Sequence, residues 1–140
     1  MIVAAFTSTH SPSDLVNVGT LQTLLMVEAV AFAVASIIHG GYVFPSYGHR
    51  NAHIAEAVIA IALLGGVVIT VVAPEQARRG GLLAQGFALL GTLVGLFTIA
   101  VGVGPRTIPD VIYHIAMVVL LVGGLRYARR AVAPPPPPTT

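Results

Sequence analysis

Residues 53–73, HIAEAVIAIALLGGVVITVVA, decide the fold. The run is broken by only one charged side chain, Glu56. It matches the ~20 residues that a helix needs to cross ~30 Å of hydrocarbon. Its β-branched residues do not alternate with polar ones, and the run is too long for a strand. Backbone groups placed in lipid must be satisfied within the segment, so a helix is expected.

Three further runs of the same kind flank it, at about 19–39, 82–103 and 109–127. Composition supports lipid as the solvent. Hydrophobic residues make up 56% of the 140-residue chain and charged residues only 9%, against about 25% charged in soluble domains. The expected fold is all-α, a transmembrane up-down four-helix bundle over residues 19–127. An N-terminal cytoplasmic or interfacial segment (1–18) precedes it and a cytoplasmic Arg/Pro-rich tail (128–140) follows. Short connections make neighbouring helices antiparallel.

Local signals mark the boundaries. Ser11-Pro12-Ser13-Asp14 and Thr107-Ile108-Pro109-Asp110 each read as a helix cap followed by an acid. Gly40-Gly41 with Pro45, and Ala73-Pro74 with Gly80-Gly81, are expected to punctuate the first two connections. Pro134–Pro138 is expected as a solvated polyproline stub. The polar N-terminus lacks a basic leader region, so the first span is expected to be retained.

All seven basic residues are arginine. With four spans, Arg78, Arg79, Arg126, Arg129 and Arg130 share one side, and Arg50 and Arg106 the other. The positive-inside rule then places both termini in the cytoplasm. No basic patch interleaves with aromatics, so nucleic acid is not an expected partner. Cysteine is absent, which excludes thiolate chemistry. Phosphate-binding loops, the nucleophile-elbow GxSxG and the zinc motif HExxH are absent as well.

Polar groups collect at the side opposite the termini. His39 ends the first span, His49, His53 and Glu56 begin the second, and Asp110, Tyr113 and His114 begin the fourth. His53 and Glu56 share a helix face at i, i+3, and Asp110 and His114 at i, i+4. His49 and Arg50 read as interfacial anchors. Three of these histidines, His39, His53 and His114, form a candidate ligand set for a transition metal (Zn, Fe or Cu) or a b-type haem. Glu56, Asp110 and Tyr113 are the candidate orienting partners. The plain alternative is a hydrogen-bonded clamp between helices.

Glu28 lies mid-span in LLMVEAVAF, eleven residues before His39 and so about 16 Å deeper. An ionised carboxylate at that depth costs roughly 2.5–3.5 kcal/mol. It is expected to be protonated or hydrogen-bonded to another helix, and is the candidate proton-handling acid. Gly91 and Gly95 form a GxxxG packing surface, and Gln85 lies nearer the cytoplasmic end, placed to pair or snorkel.

The run QGFALLGTLVGLFTIAVGVGPRTIPDVIYH (85–114), with AHIAEAVIAIALLGG (52–66), resembles small uncharacterised four-span integral membrane proteins of bacteria. The resemblance covers spans two to four. It implies the four-span topology and a bacterial cytoplasmic membrane, and it carries no activity or ligand. Glu28 in the first span also resembles, in layout alone, the small multidrug-resistance transporters, which work as dimers; their tryptophan and tyrosine content is missing here. Three functions therefore stand open: a metal or haem protein, a small proton-coupled transporter using Glu28, and an accessory subunit without chemistry of its own. The lipid bilayer is the expected surrounding, with a homodimer or a larger membrane complex as the possible assembly.

Overall fold

A computed structural model of the chain describes residues 18–130. It is an all-α four-helix bundle: α1 (Val18–His39), α2 (Arg50–Val72), α3 (Ala77–Val101) and α4 (Ile108–Arg130). Short 3-10 turns at Pro45–Tyr47 and Pro74–Gln76 carry the chain between helices. Each helix is long and apolar enough to span a membrane, so the chain is a multi-pass membrane protein. The expected cap at 11–14 and the proline stub at 134–138 lie outside the described residues.

The surface and the interior are reversed relative to a water-soluble bundle. Val27, Val30, Ile61, Val68, Leu90, Phe97 and Val119 face outward. Glu28, Ser36, His39, Glu56, Gln85, Asp110 and His114 are buried. Water would favour the opposite arrangement. Hydrocarbon favours this one, because polar side chains there must find partners inside the protein.

Helices adjacent in sequence pack side by side, and the α1–α4 seam that closes the ring is looser than these. Leu21, Leu25, Phe32, Leu63, Met117 and Leu121 fill the core between small residues such as Ala29, Ala60, Ala84 and Ala88. Small residues let the backbones approach, which is how helices gain contact in lipid. A Cβ at Gly66 would sit 2.7 Å from that of Ala84.

The boundaries differ from expectation at two places, for local reasons. α2 starts at Arg50, because His49 caps it by accepting the Ala52 N–H at Nδ1 (3.3 Å). Gly80 and Gly81 lie inside α3 instead of punctuating the connection. They stand at close helix crossings: added Cβ atoms would come within 2.7 Å of Ile69 and 3.0 Å of Leu21. α3 ends at Gly102, whose φ of 87° is left-handed, and the N–H groups of Val103 and Gly104 then reach back to the Thr98 carbonyl. Arg106 also covers this end, its Nε donating to the Ile99 carbonyl at 3.0 Å.

Candidate functional site

The end of the bundle where α1 and α3 finish and α2 and α4 begin holds a buried polar network. His39 is its centre. Its Nδ1 lies 2.8 Å from Glu56 Oε2 on α2, and its Nε2 lies 3.1 Å from Asp110 Oδ1 on α4. All three residues are at most 4% exposed. One imidazole thus ties three helices together, and both of its nitrogens are engaged.

Each carboxylate is set up by its own helix. Thr107 is the N-cap residue of α4: its backbone N–H (3.0 Å) and its hydroxyl both donate to Asp110 Oδ2. The Asp110 N–H points back to Thr107 Oγ1 at 3.4 Å. This reciprocal cap occupies one carboxylate oxygen and leaves the other for His39. Glu56 sits two turns into α2. Its Oε2 meets His39, while its Oε1 is buried with no hydrogen-bond partner.

Two hydrogen bonds around one imidazole require two protons. Either the ring carries both and faces two carboxylates, or a neutral ring carries one and a carboxyl carries the other. Both distributions have the same net charge, −1. They differ only by short proton jumps along existing hydrogen bonds, so the network can redistribute protons without moving a heavy atom.

The other expected residues go elsewhere. His53 Nδ1 donates to the Ser36 carbonyl at 2.8 Å, and the Ser36 hydroxyl donates to the His53 carbonyl at 2.9 Å. That pair closes the α1–α2 seam. The His114 Nδ1–H donates to the Asp110 carbonyl one turn back, at 2.7 Å. This fixes the lone pair of the neutral ring on Nε2, against Gly95, whose added Cβ would lie 2.7 Å away. The Tyr113 hydroxyl is buried without a partner, so it orients neither ring by a hydrogen bond. His39, His53 and His114 thus each meet a different partner and are not gathered as a three-histidine metal site. Among the described residues, no three His, Asp or Glu side chains are arranged to hold a metal ion. His39 is unsuited to ligation for a simple reason: carboxylates occupy both of its nitrogens.

Among the described residues, hollows border the network on several sides. Asp110 lines a rim hollow beneath the Ser46–His49 and Pro105–Thr107 loops. Glu56 and His114 line a cavity of about 240 Å³ between α2 and α3. A more apolar hollow of about 390 Å³ opens at the loose α1–α4 seam, beside His39, Asp110 and Tyr113. The Asp110–His39–Glu56 row thus runs from the loop-covered rim to the interior cavity.

Deeper in the bundle, Glu28 is wholly buried, and Gln85 of α3 donates its Nε2–H to both carboxyl oxygens, at 3.2 and 3.1 Å. Gly124 of α4 makes room for the pair; a Cβ there would lie 2.7 Å from Glu28 Oε1. Gly91 and Gly95 face Ile59 and His114, both within the bundle.

Sequence reasoning missed Ser36 and Gly124. Ser36 carried a usable signal, lying three residues before His39 on the same face. Gly124, one of two adjacent glycines in an apolar helix, carried none that separates it from Gly123, which meets nothing. Comparison with known protein families, curated proteins and solved structures finds no match for the chain.

Proposed function

We propose that this membrane protein handles protons, with Asp110, His39 and Glu56 as a relay between the loop-covered rim and the interior cavity. The observation that carries the reading is the single imidazole held at 2.8 and 3.1 Å between two buried carboxylates. A proton that arrives on Asp110 passes to His39 Nε2. The Nδ1 proton then moves to Glu56 Oε2. Charge crosses the ring, and the total number of protons in the network is unchanged by that step. Glu56 then holds a proton at the cavity wall, where a co-transported solute or a water chain can take it. Glu28, about 16 Å further along α1, faces the amide of Gln85 and stands outside this relay. The arginine distribution supports a His39 end on the extracytoplasmic face, and the resemblance to bacterial four-span proteins supports the cytoplasmic membrane of a bacterium.

Proteoliposomes containing a trapped pH-sensitive dye test this. The wild type is expected to dissipate an imposed pH gradient. His39→Asn, which can hydrogen-bond but cannot relay a proton, is expected to slow it by about 10² or more, the scale of one positioned proton-transfer group. A wild-type rate equal to that of protein-free vesicles overturns the reading.

One observation favours a second reading: each bond to His39 joins two helices. In an accessory subunit, the same triad is a clamp. His39→Asn then lowers stability while there is no flux to lose.

A further inference from the structure

We propose that the cavity between α2 and α3 is a binding site for a small organic ammonium ion, a protonated amine with a short apolar chain. The proposal goes beyond proton relay and does not require that protons move.

The argument rests on the hydrogen-bonding inventory of the wall. The Thr92 hydroxyl donates to the Ala88 carbonyl at 2.8 Å, and that of Thr98 to the Gly95 carbonyl at 2.7 Å. Both hydroxyl protons are thereby committed, and what each oxygen can still offer is a lone pair. The Nδ1–H of His114 is spent on Asp110, so Nε2 offers a lone pair as well. At the mouth, His49 spends Nε2–H on the Val103 carbonyl and Nδ1 on the Ala52 N–H. Glu56 lines the cavity, and its Oε1, closed off from solvent, has no hydrogen-bond partner, so an unoffset carboxylate stands beside the cavity. The wall is therefore rich in acceptors and poor in donors. Asn51, exposed at the mouth, holds the wall's only side-chain amide.

A ligand that complements such a wall must bring donors and positive charge. No arginine lines the cavity, so nothing within it competes for Glu56. An ammonium group supplies up to three N–H donors and offsets the carboxylate. The remaining wall is apolar, including Phe32, Ile59 and Ile99. It accepts a short hydrocarbon chain, and the Phe32 ring suits a nearby cation. A volume of about 240 Å³ equals about eight waters at ~30 Å³ each. That is room for a small amine and too little for a drug-sized cation.

Equilibrium dialysis of radiolabelled n-butylamine against the detergent-purified full chain is the test. Saturable binding of one ligand per chain is expected, with a change in the imidazole nitrogen signal of His114 Nε2 in ¹⁵N spectra. Glu56→Gln is expected to weaken binding by about tenfold or more, the loss that follows from removing one charge-assisted hydrogen bond. n-Butanol should not compete. n-Butyltrimethylammonium, which keeps the charge and chain but has no N–H, should compete more weakly than n-butylammonium. Ala55→Leu fills the cavity wall without touching the His39 network, and it is expected to block binding even where Glu56→Gln proves too unstable to purify. No binding by the wild type, equal competition by n-butanol, or full binding by either variant overturns the proposal.

Discussion

The two buried glutamates among the described residues meet opposite fates. Glu56 at the His39 end joins a network that spans three helices and contains an imidazole able to give and take protons. Glu28, mid-bundle, meets a neutral amide that donates to both of its oxygens. A carboxylate facing imidazole can exchange a proton with its partner. A carboxylate facing an amide can only be held by it. Glu28 is 0% and Glu56 4% exposed, so burial alone does not separate the two centres. The chemistry of the facing group does.

The strongest way to break this comparison is to remove the imidazole. His39→Ala is expected to destabilise the bundle by about 3 kcal/mol, the low end for a broken buried ion pair, because the stranded carboxylates can take up protons. Unfolding in detergent with rising denaturant measures it. A loss no larger than that of Glu28→Gln would erase the distinction between the two centres.

The Glu28 centre is instead expected to be limited by space. Gly124→Leu places a side chain where Gln85 and Glu28 meet, and it is expected to cost about 2 kcal/mol as overpacking. The same substitution in a Glu28→Ala background should recover part of that loss. Equal losses in both backgrounds would show that the pair does not set the spacing.

Thr107→Ala probes how Asp110 is held. It removes the hydroxyl of the α4 cap, so a loss of about 1 kcal/mol is expected, with Thr107→Ser retaining most of the stability. In the relay reading it should also slow the proton flux, and the deeper Glu28–Gln85 pair should be untouched. The smallest effect is the coupling of Glu28 with Gln85. A double-mutant cycle with Glu28→Leu and Gln85→Leu is expected to give about 0.6 kcal/mol, as for other interhelical hydrogen bonds in membranes. A coupling several times larger would mean that the pair carries charge, and would bring the two centres closer in kind.

Much of this was legible in the residues. Hydropathy and punctuation gave the number of spans, because a helix in lipid satisfies its backbone locally and needs only length and apolarity. Counting along each span then placed His39, Glu56, Asp110 and His114 in one layer, and i, i+3 and i, i+4 spacing put them on inward faces. The cap at Thr107–Asp110 was also visible, since both partners lie within one turn. The ligand trio was not formed, and spacing within a helix could not have revealed why. His53 and His39 are both near the α1–α2 seam, yet Ser36 takes one and Glu56 the other. Gly80-Gly81 read as a break because glycine ends helices in isolation, whereas here Ile69 and Leu21 press against the bare backbone.

By itself the sequence determined four apolar helices, their approximate limits and the depth of each polar group. All of these follow from one-dimensional spacing and the cost of polar atoms in hydrocarbon. The tertiary structure alone decided which acid meets an imidazole and which meets an amide. That choice depends on helix rotation and approach, set by glycines and small residues at crossings, and on contacts between groups as far apart in the chain as His39 and Asp110.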